Sequence, residues 1–133
     1  MLSISVVLYC LAALASLGMA YKYGLGPVPA DYHVEILGDE VPADTVSVLW
    51  ALYRVFGAAI FGIAILAAAL AAGPVAAGDP LARIGLPLGL LVFLVPAFIV
   101  AHRMAGKYGV NTPTRPTLAF IVVILLSAVL SFL

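Results

Sequence analysis

The chain has 133 residues, 65% of them hydrophobic and only 9% charged, and its formal net charge is zero. This composition is more apolar than that of a soluble globular domain, and the neutral charge gives no basis for binding nucleic acid or for strong attraction to anionic lipid. The single cysteine, Cys10, excludes an internal disulfide and a paired-cysteine redox site.

Four stretches without a charged residue predict four membrane-spanning helices. A hydrocarbon core of roughly 30 Å takes about 20 apolar residues of helix. We therefore predict an all-α fold, an integral membrane four-helix antiparallel bundle that forms one domain over 1–133. The predicted spans are about 2–20, 46–72, 81–104 and 117–133. The first stretch also fits a secretory signal with small residues near Ala20, but its start carries no Lys or Arg, which favours a retained span.

The polar segment 21–45 connects the first two spans and holds five of the six acidic residues. After Asp31 we prefer a short helix ending at Gly38, although the alternation of apolar and polar residues fits an extended segment equally well. Asp31 and Asp44 each follow a proline closely, and this pattern predicts that both are helix N-caps.

A short turn joins the second and third spans. Gly73-Pro74 is expected to end the second helix. Asp79 followed by Pro80 predicts the start of the third, with the carboxylate as N-cap and the proline at the first helical position. Because the connection is so short, we predict that the two spans form an antiparallel hairpin.

The third span carries residues that favour contact with other helices. Pro87 and Pro96 each remove one backbone hydrogen bond, and the freed carbonyls need partners from neighbouring helices. Gly85 and Gly89 form a GxxxG step and are our candidates for a close helix contact. The third span is therefore expected to be largely surrounded by protein.

The basic residues predict how the chain is oriented. Five of the six lie on the side of the first and third connections, and only Arg83 lies on the side of the hairpin turn and the termini. Because Lys and Arg are enriched in cytoplasmic loops, we predict both polar connections in the cytoplasm and the termini outside, in a bacterial inner membrane. The acidic first connection and the basic third are expected to dock on each other.

Arg54 and the polar segment supply the candidate binding residues. An arginine at the edge of a span faces protein, water or a paired acid, so Arg54 is either an anion or lipid-headgroup contact, or an anchor paired with an acid such as Asp31 or Glu35. His33 lies between those two acids in sequence, a pattern that could bind a metal or perform acid-base chemistry. His102 lies on the same predicted side and could join it. The alternative is that both histidines are ordinary surface residues, and we expect neither a metal nor a cofactor.

Several short motifs resemble those of a type of small four-span bacterial membrane protein with no established activity. They are Tyr32-His33, Leu37-Gly38, the run Leu52-Tyr53-Arg54-Val55-Phe56-Gly57, Leu86-Pro87 and Thr112-Pro113. The resemblance implies the four-helix fold and no particular chemistry.

The sequence therefore favours a protein that acts through helix contacts. We predict an accessory or assembly subunit of a membrane complex, or a homo-oligomer, whose partners are the lipid bilayer and other membrane subunits or copies of itself. The alternative is a small membrane enzyme or a binder of lipid or cofactor that uses the polar segment and Arg54. A proton-coupled exporter is disfavoured because the four spans contain no acidic residue.

Overall fold

The computed structural model describes residues 2–38 and 40–133, and every regular element among them is helical. The helices are α1 (Leu2–Leu25), α2 (Asp31–Leu37), α3 (Ala43–Leu70), α4 (Pro80–Tyr108) and α5 (Thr114–Phe132). All but α2 are long and apolar enough to cross a membrane. The all-α prediction is confirmed, and each predicted span falls on one long helix. Asp39 of the polar segment and Met1 lie outside the described residues.

The predicted N-caps differ in outcome. Asp79 accepts hydrogen bonds from the backbone N–H groups of Leu81 and Ala82, at 2.8 and 3.0 Å, so it caps α4 as predicted. The prediction for Asp31 and Asp44 was wrong, because Ala30 and Pro42 occupy the cap positions and no side chain caps either helix. Both carboxylates lie instead in the first turn, where the helix dipole still favours a negative charge.

The helix that contains α3 does not end at Gly73-Pro74, contrary to the prediction. It widens into a π-helical turn, Ala71–Val75, in which the Ala76 N–H donates to the carbonyl of Ala71 at 3.1 Å. Proline has no N–H to donate and its ring clashes with the carbonyl four residues earlier. A turn with one extra residue accommodates Pro74, and the helix ends one residue later at Val75 before the chain turns into α4.

Helix α1 is central to the packing, because it contacts α3 along one side and α5 along another. Small residues let it approach closely: Ala12 and Ala20, which share one face of α1 with Ser16 at four-residue spacing, are both buried. The Ser5 hydroxyl donates to the carbonyl of Ser127 on α5 at 2.7 Å. Ser16, the third member of that face, is half-buried and bonds its own helix at the carbonyl of Ala12.

Gly24 and Gly57 mark the closest approach of α1 and α3. A Cβ atom placed on Gly57 would overlap the backbone nitrogen and Cα of Gly24 and would lie 2.9 Å from the carbonyl carbon of Tyr23. Real Cβ atoms do not come so near to backbone atoms. Position 57 therefore requires glycine for a steric reason rather than for backbone flexibility.

Helix α4 packs mainly against α5, and it meets α3 chiefly through the π-helical turn. Beyond the turn the two helices of the predicted hairpin diverge, and the ring pair of Phe56 and Phe93, with centroids 5.7 Å apart, is one of their contacts. Helix α4 is the least buried of the four long helices. This is contrary to the expectation, drawn from Pro87 and Pro96, that it would be largely surrounded by protein. Gly85 and Gly89 are exposed, and an added Cβ at either would meet no atom within 4 Å. A helix contact at these glycines remains a prediction for a second chain.

Candidate functional site

The divergence of α3 and α4 leaves a cavity of about 690 Å³ inside the helical assembly. Its wall is contributed by all five helices and is almost entirely apolar. Representative wall residues are Ala13, Met19, Leu49, Ile60, Ala64, Leu90, Leu94, Ala97, Met104 and Phe120. Among the described residues, the lining contains no Asp, Glu, Lys or Arg.

The cavity opens through the gap between α3 and α4. Leu52 of α3, and Val92 and Val100 of α4, line the cavity and are 60%, 76% and 61% exposed. In contrast, Tyr9 of α1 and Ile124 of α5 line it and are each 1% exposed. The closed wall is therefore the one built by α1 and α5.

Four polar side chains, Tyr23, Tyr32, His33 and Tyr53, line one part of the cavity, and we call them the Tyr–His cluster. The hydroxyls of Tyr23 and Tyr32 are hydrogen-bonded at 2.9 Å. The Tyr53 hydroxyl accepts the Ala30 N–H at 3.1 Å and is also hydrogen-bonded to Nδ1 of His33. These contacts fasten the short helix α2 to α1 and α3.

The environment of the Tyr–His cluster keeps its two α2 members uncharged. Burial raises the pKa of the Tyr32 phenol, and its hydrogen bond with Tyr23 acts in the same direction. Burial lowers the pKa of the His33 imidazole, because the charged form loses hydration. Both side chains are therefore neutral at pH 7 and act as hydrogen-bonding groups.

Among the described residues, Arg54 has no acidic partner, and it does not line the cavity. Its Nη1 donates to the carbonyl of Gly24 and its Nη2 to that of Gly26, at 3.4 Å for the latter, and its guanidinium lies 5.3 Å from the centre of the Trp50 ring. These carbonyls belong to the C-terminal end of α1, where a cation is favoured by the helix dipole. Arg54 thus joins α3 to the end of α1, and its partners are carbonyls rather than the carboxylates considered from the sequence.

The other candidate residues are not gathered into one site. Asp31 and Glu35 are exposed, whereas His33 is half-buried against Tyr53. His102 is exposed and stacks on Phe98 with ring centroids 5.8 Å apart. Within the described part of the chain, no three side chains of His, Cys, Asp or Glu are close enough to hold a metal ion.

No hydrogen bond joins the two polar connections in the part of the chain that the structure describes, so their docking stays a prediction. The polar segment is held by the Tyr–His cluster, and Lys107 of the basic connection lies over the ring of Tyr108, 4.9 Å from its centre. Both connections nevertheless border the same cavity, since Thr112 and Pro113 also line it. The Thr112 hydroxyl donates to the carbonyl of Ala101 at 2.9 Å, which secures the third connection to α4.

Sequence reasoning did not identify the tyrosines of the cluster as a site. Tyr23 and Tyr53 look like interfacial anchors, because aromatic rings beside Lys or Arg are typical of membrane boundaries. A usable signal was present, since three tyrosines and a histidine all lie near the same predicted membrane surface. No family model matches the chain, and no curated protein or solved structure matches it.

Proposed function

We propose that this chain is an integral membrane protein that binds a lipid-like ligand in the cavity between α3 and α4. The observation that carries the proposal is the apolar cavity of about 690 Å³, a volume within the range of roughly 300–1,000 Å³ typical of small-ligand sites. Apolar walls with a few polar groups gathered in one part match the chemistry of an amphiphilic molecule.

Membrane insertion is supported by the apolar side chains on the outside of the helices. Leu81, Val55 and Val129 are 81%, 70% and 61% exposed, and water-facing helices of a soluble protein do not display such continuous apolar surfaces. The contacts of α1 with α3 support an antiparallel arrangement: Gly24 lies against Gly57, whereas Tyr9 belongs to the same core cluster as Ala67. Residue numbers along α1 thus increase in the direction in which residue numbers along α3 decrease.

The distribution of basic residues supports an orientation with both polar connections in the cytoplasm of a bacterium and the termini outside. A reporter fused after Leu133 distinguishes the two orientations. We expect activity from a periplasmic reporter and silence from a cytoplasmic one. The reverse pattern contradicts the proposed orientation.

A ligand fits the cavity better than a helix of a partner protein does. A transmembrane helix is about 10–12 Å in diameter with its side chains and about 30 Å long for 20 residues, so its volume greatly exceeds that of the cavity. We propose binding rather than catalysis, because the lining of the described residues offers phenols, hydroxyls and one imidazole but neither an acid nor a thiol.

A substitution that fills the cavity with a larger side chain tests the proposal. Ala97 lines the cavity from α4 and is half-buried, whereas Ala58 of α3 is exposed and does not line it. Native mass spectrometry of protein purified from membranes in mild detergent should show a bound lipid on the wild type and on A58F. The same species should be lost from A97F. Equal retention of that lipid by A97F and A58F contradicts binding in this cavity.

A role as a subunit or homo-oligomer remains a second proposal, supported by α4. This helix is the least buried of the long helices, and Gly85 and Gly89 leave a smooth exposed strip on it. Cysteine crosslinking from Gly89→Cys in membranes should give a dimer or a crosslinked partner. A control at the exposed Ala119 of α5 should give neither, and equal crosslinking at both positions contradicts a contact through α4.

A further inference from the structure

We infer that the ligand of the cavity is an uncharged lipid whose polar end carries carbonyl oxygens, and that this end binds at the Tyr–His cluster. A lipid of the diacylglycerol type has this chemistry. The inference rests on the proposed ligand-binding function and adds to it the charge and the hydrogen-bonding character of the ligand.

The charge of the ligand follows from the absence of counter-charges. No Lys or Arg lies among the described lining residues, and an unpaired charge in an apolar site is costly. Lys22 and Arg54 each adjoin a tyrosine of the cluster in sequence. The two terminal nitrogens of Arg54 are bonded to the carbonyls of Gly24 and Gly26, and Lys22 is exposed and does not line the cavity. A phosphate headgroup would therefore bind without a partner, whereas a neutral headgroup has no such requirement.

The hydrogen-bonding character of the ligand follows from which donors of the Tyr–His cluster already have an acceptor within the protein. Nδ1 of His33 is hydrogen-bonded to the Tyr53 hydroxyl, which also accepts the Ala30 N–H, and the tautomer of the ring decides which of the two partners donates. If the hydroxyl donates, the imidazole N–H at Nε2 is left without an acceptor among the described residues; if the ring donates, the Tyr53 O–H is left instead. Between Tyr23 and Tyr32, one hydroxyl donates to the other, and the Tyr53 hydroxyl, which is also hydrogen-bonded to Tyr32, can accept the second phenolic proton.

The cluster therefore offers at least one donor without a partner in the protein, an imidazole N–H or a phenolic O–H. Unpaired donors in a half-buried site favour an acceptor on the ligand. Ester oxygens are pure acceptors and satisfy such a donor, while the free hydroxyl of a diacylglycerol both donates and accepts. The wall beyond the cluster, which reaches as far as Ile124, accommodates the hydrocarbon chains; the Tyr9 hydroxyl on this wall is buried and has no hydrogen-bond partner among the described residues.

Two lipids that differ only in a phosphate test this inference. Dioleoylglycerol and dioleoylphosphatidic acid are added in mixed micelles to delipidated wild-type protein, and binding is measured by native mass spectrometry and by the rise in Tm. We expect dioleoylglycerol to bind at least tenfold more tightly. Equal or tighter binding of phosphatidic acid overturns the inference and leaves the cavity as a lipid site. Binding of neither lipid, in wild type and in A58F alike, overturns the proposed function as well.

A pair of tyrosine variants tests the position of the polar end. Y32F removes one hydroxyl of the cluster, and we expect two- to tenfold weaker binding of dioleoylglycerol, the usual range for one net hydrogen bond. Y21F removes a hydroxyl that is exposed and outside the cavity, and its affinity should equal that of the wild type. Tm without lipid shows whether each variant is folded. Unchanged affinity in a folded Y32F places the polar end elsewhere and overturns that part of the inference.

Discussion

Replacement of Gly57 by alanine should separate α1 from α3 and destabilise the protein by about 2 kcal/mol. The new Cβ would overlap the backbone of Gly24, and backbone atoms of a helix cannot move aside as a flexible side chain can. Overpacking of this kind typically costs about 1–3 kcal/mol and occasionally more, while alanine regains up to about 1 kcal/mol of helix propensity over glycine. Displacement of α1 also strains the Arg54 contacts with Gly24 and Gly26. Together these effects give the expected net loss of about 2 kcal/mol in the free energy of unfolding.

Gly62 provides the matched control for this measurement. It lies in the same helix and is exposed, and an added Cβ there would meet no atom within 4 Å. G62A should therefore be as stable as the wild type or more stable by up to about 1 kcal/mol. Reversible unfolding in mixed micelles can be followed by fluorescence of Trp50, the only tryptophan. Equal free energies of unfolding for G57A and G62A would refute the close approach of the two helices.

Two further predictions concern the side chains that fasten the polar segment and the end of α1. R54Q should lower the free energy of unfolding by about 1–3 kcal/mol, because it removes charge-assisted hydrogen bonds to two carbonyls. R54K should not restore the lost stability, since lysine lacks the planar guanidinium that binds both carbonyls. The exposed Arg103→Gln serves as the control in the same unfolding assay. Burial lowers the pKa of His33 from 6.5, so the folded protein binds fewer protons than the unfolded chain. Stability should be complete above about pH 6.5 and should fall as the pH drops from there toward the lowered pKa. Unfolding curves at pH 7.5 and 5.5 should show this loss in the wild type and in H102Q but less of it in H33F; an equal pH dependence in all three proteins would rule out His33 as its source.

The number and extent of the long helices could be predicted because they depend on local properties of the chain. Apolar runs near the length of a bilayer core indicate spans wherever they pack, and Asp79 caps α4 through atoms two and three residues away. The predictions for Asp31 and Asp44 missed by one position, since an N-cap depends on the backbone angles at the boundary as well as on the residue type. The π-helical turn at Pro74 also depends on backbone angles, which the residue types alone do not predict.

The arrangement of the helices was decided only by the tertiary structure. Helices that are apolar on every side carry no stripe that selects a neighbour, so the sequence could not show that α4 would pack on α5 and diverge from α3. Position 57 requires glycine because α1 lies against it. Gly85 and Gly89 have the GxxxG spacing, but an added Cβ at either would meet no described atom within 4 Å.

The sequence by itself thus determined an all-helical chain with four segments long and apolar enough to cross a membrane, because helix formation and hydropathy depend on neighbouring residues. Tertiary structure alone decided that Tyr23, Tyr32, His33 and Tyr53 would meet beside an apolar cavity. These residues come from three helices, and the shape of the space between helices depends on how the small residues of α1 pack. No local pattern encodes such a shape.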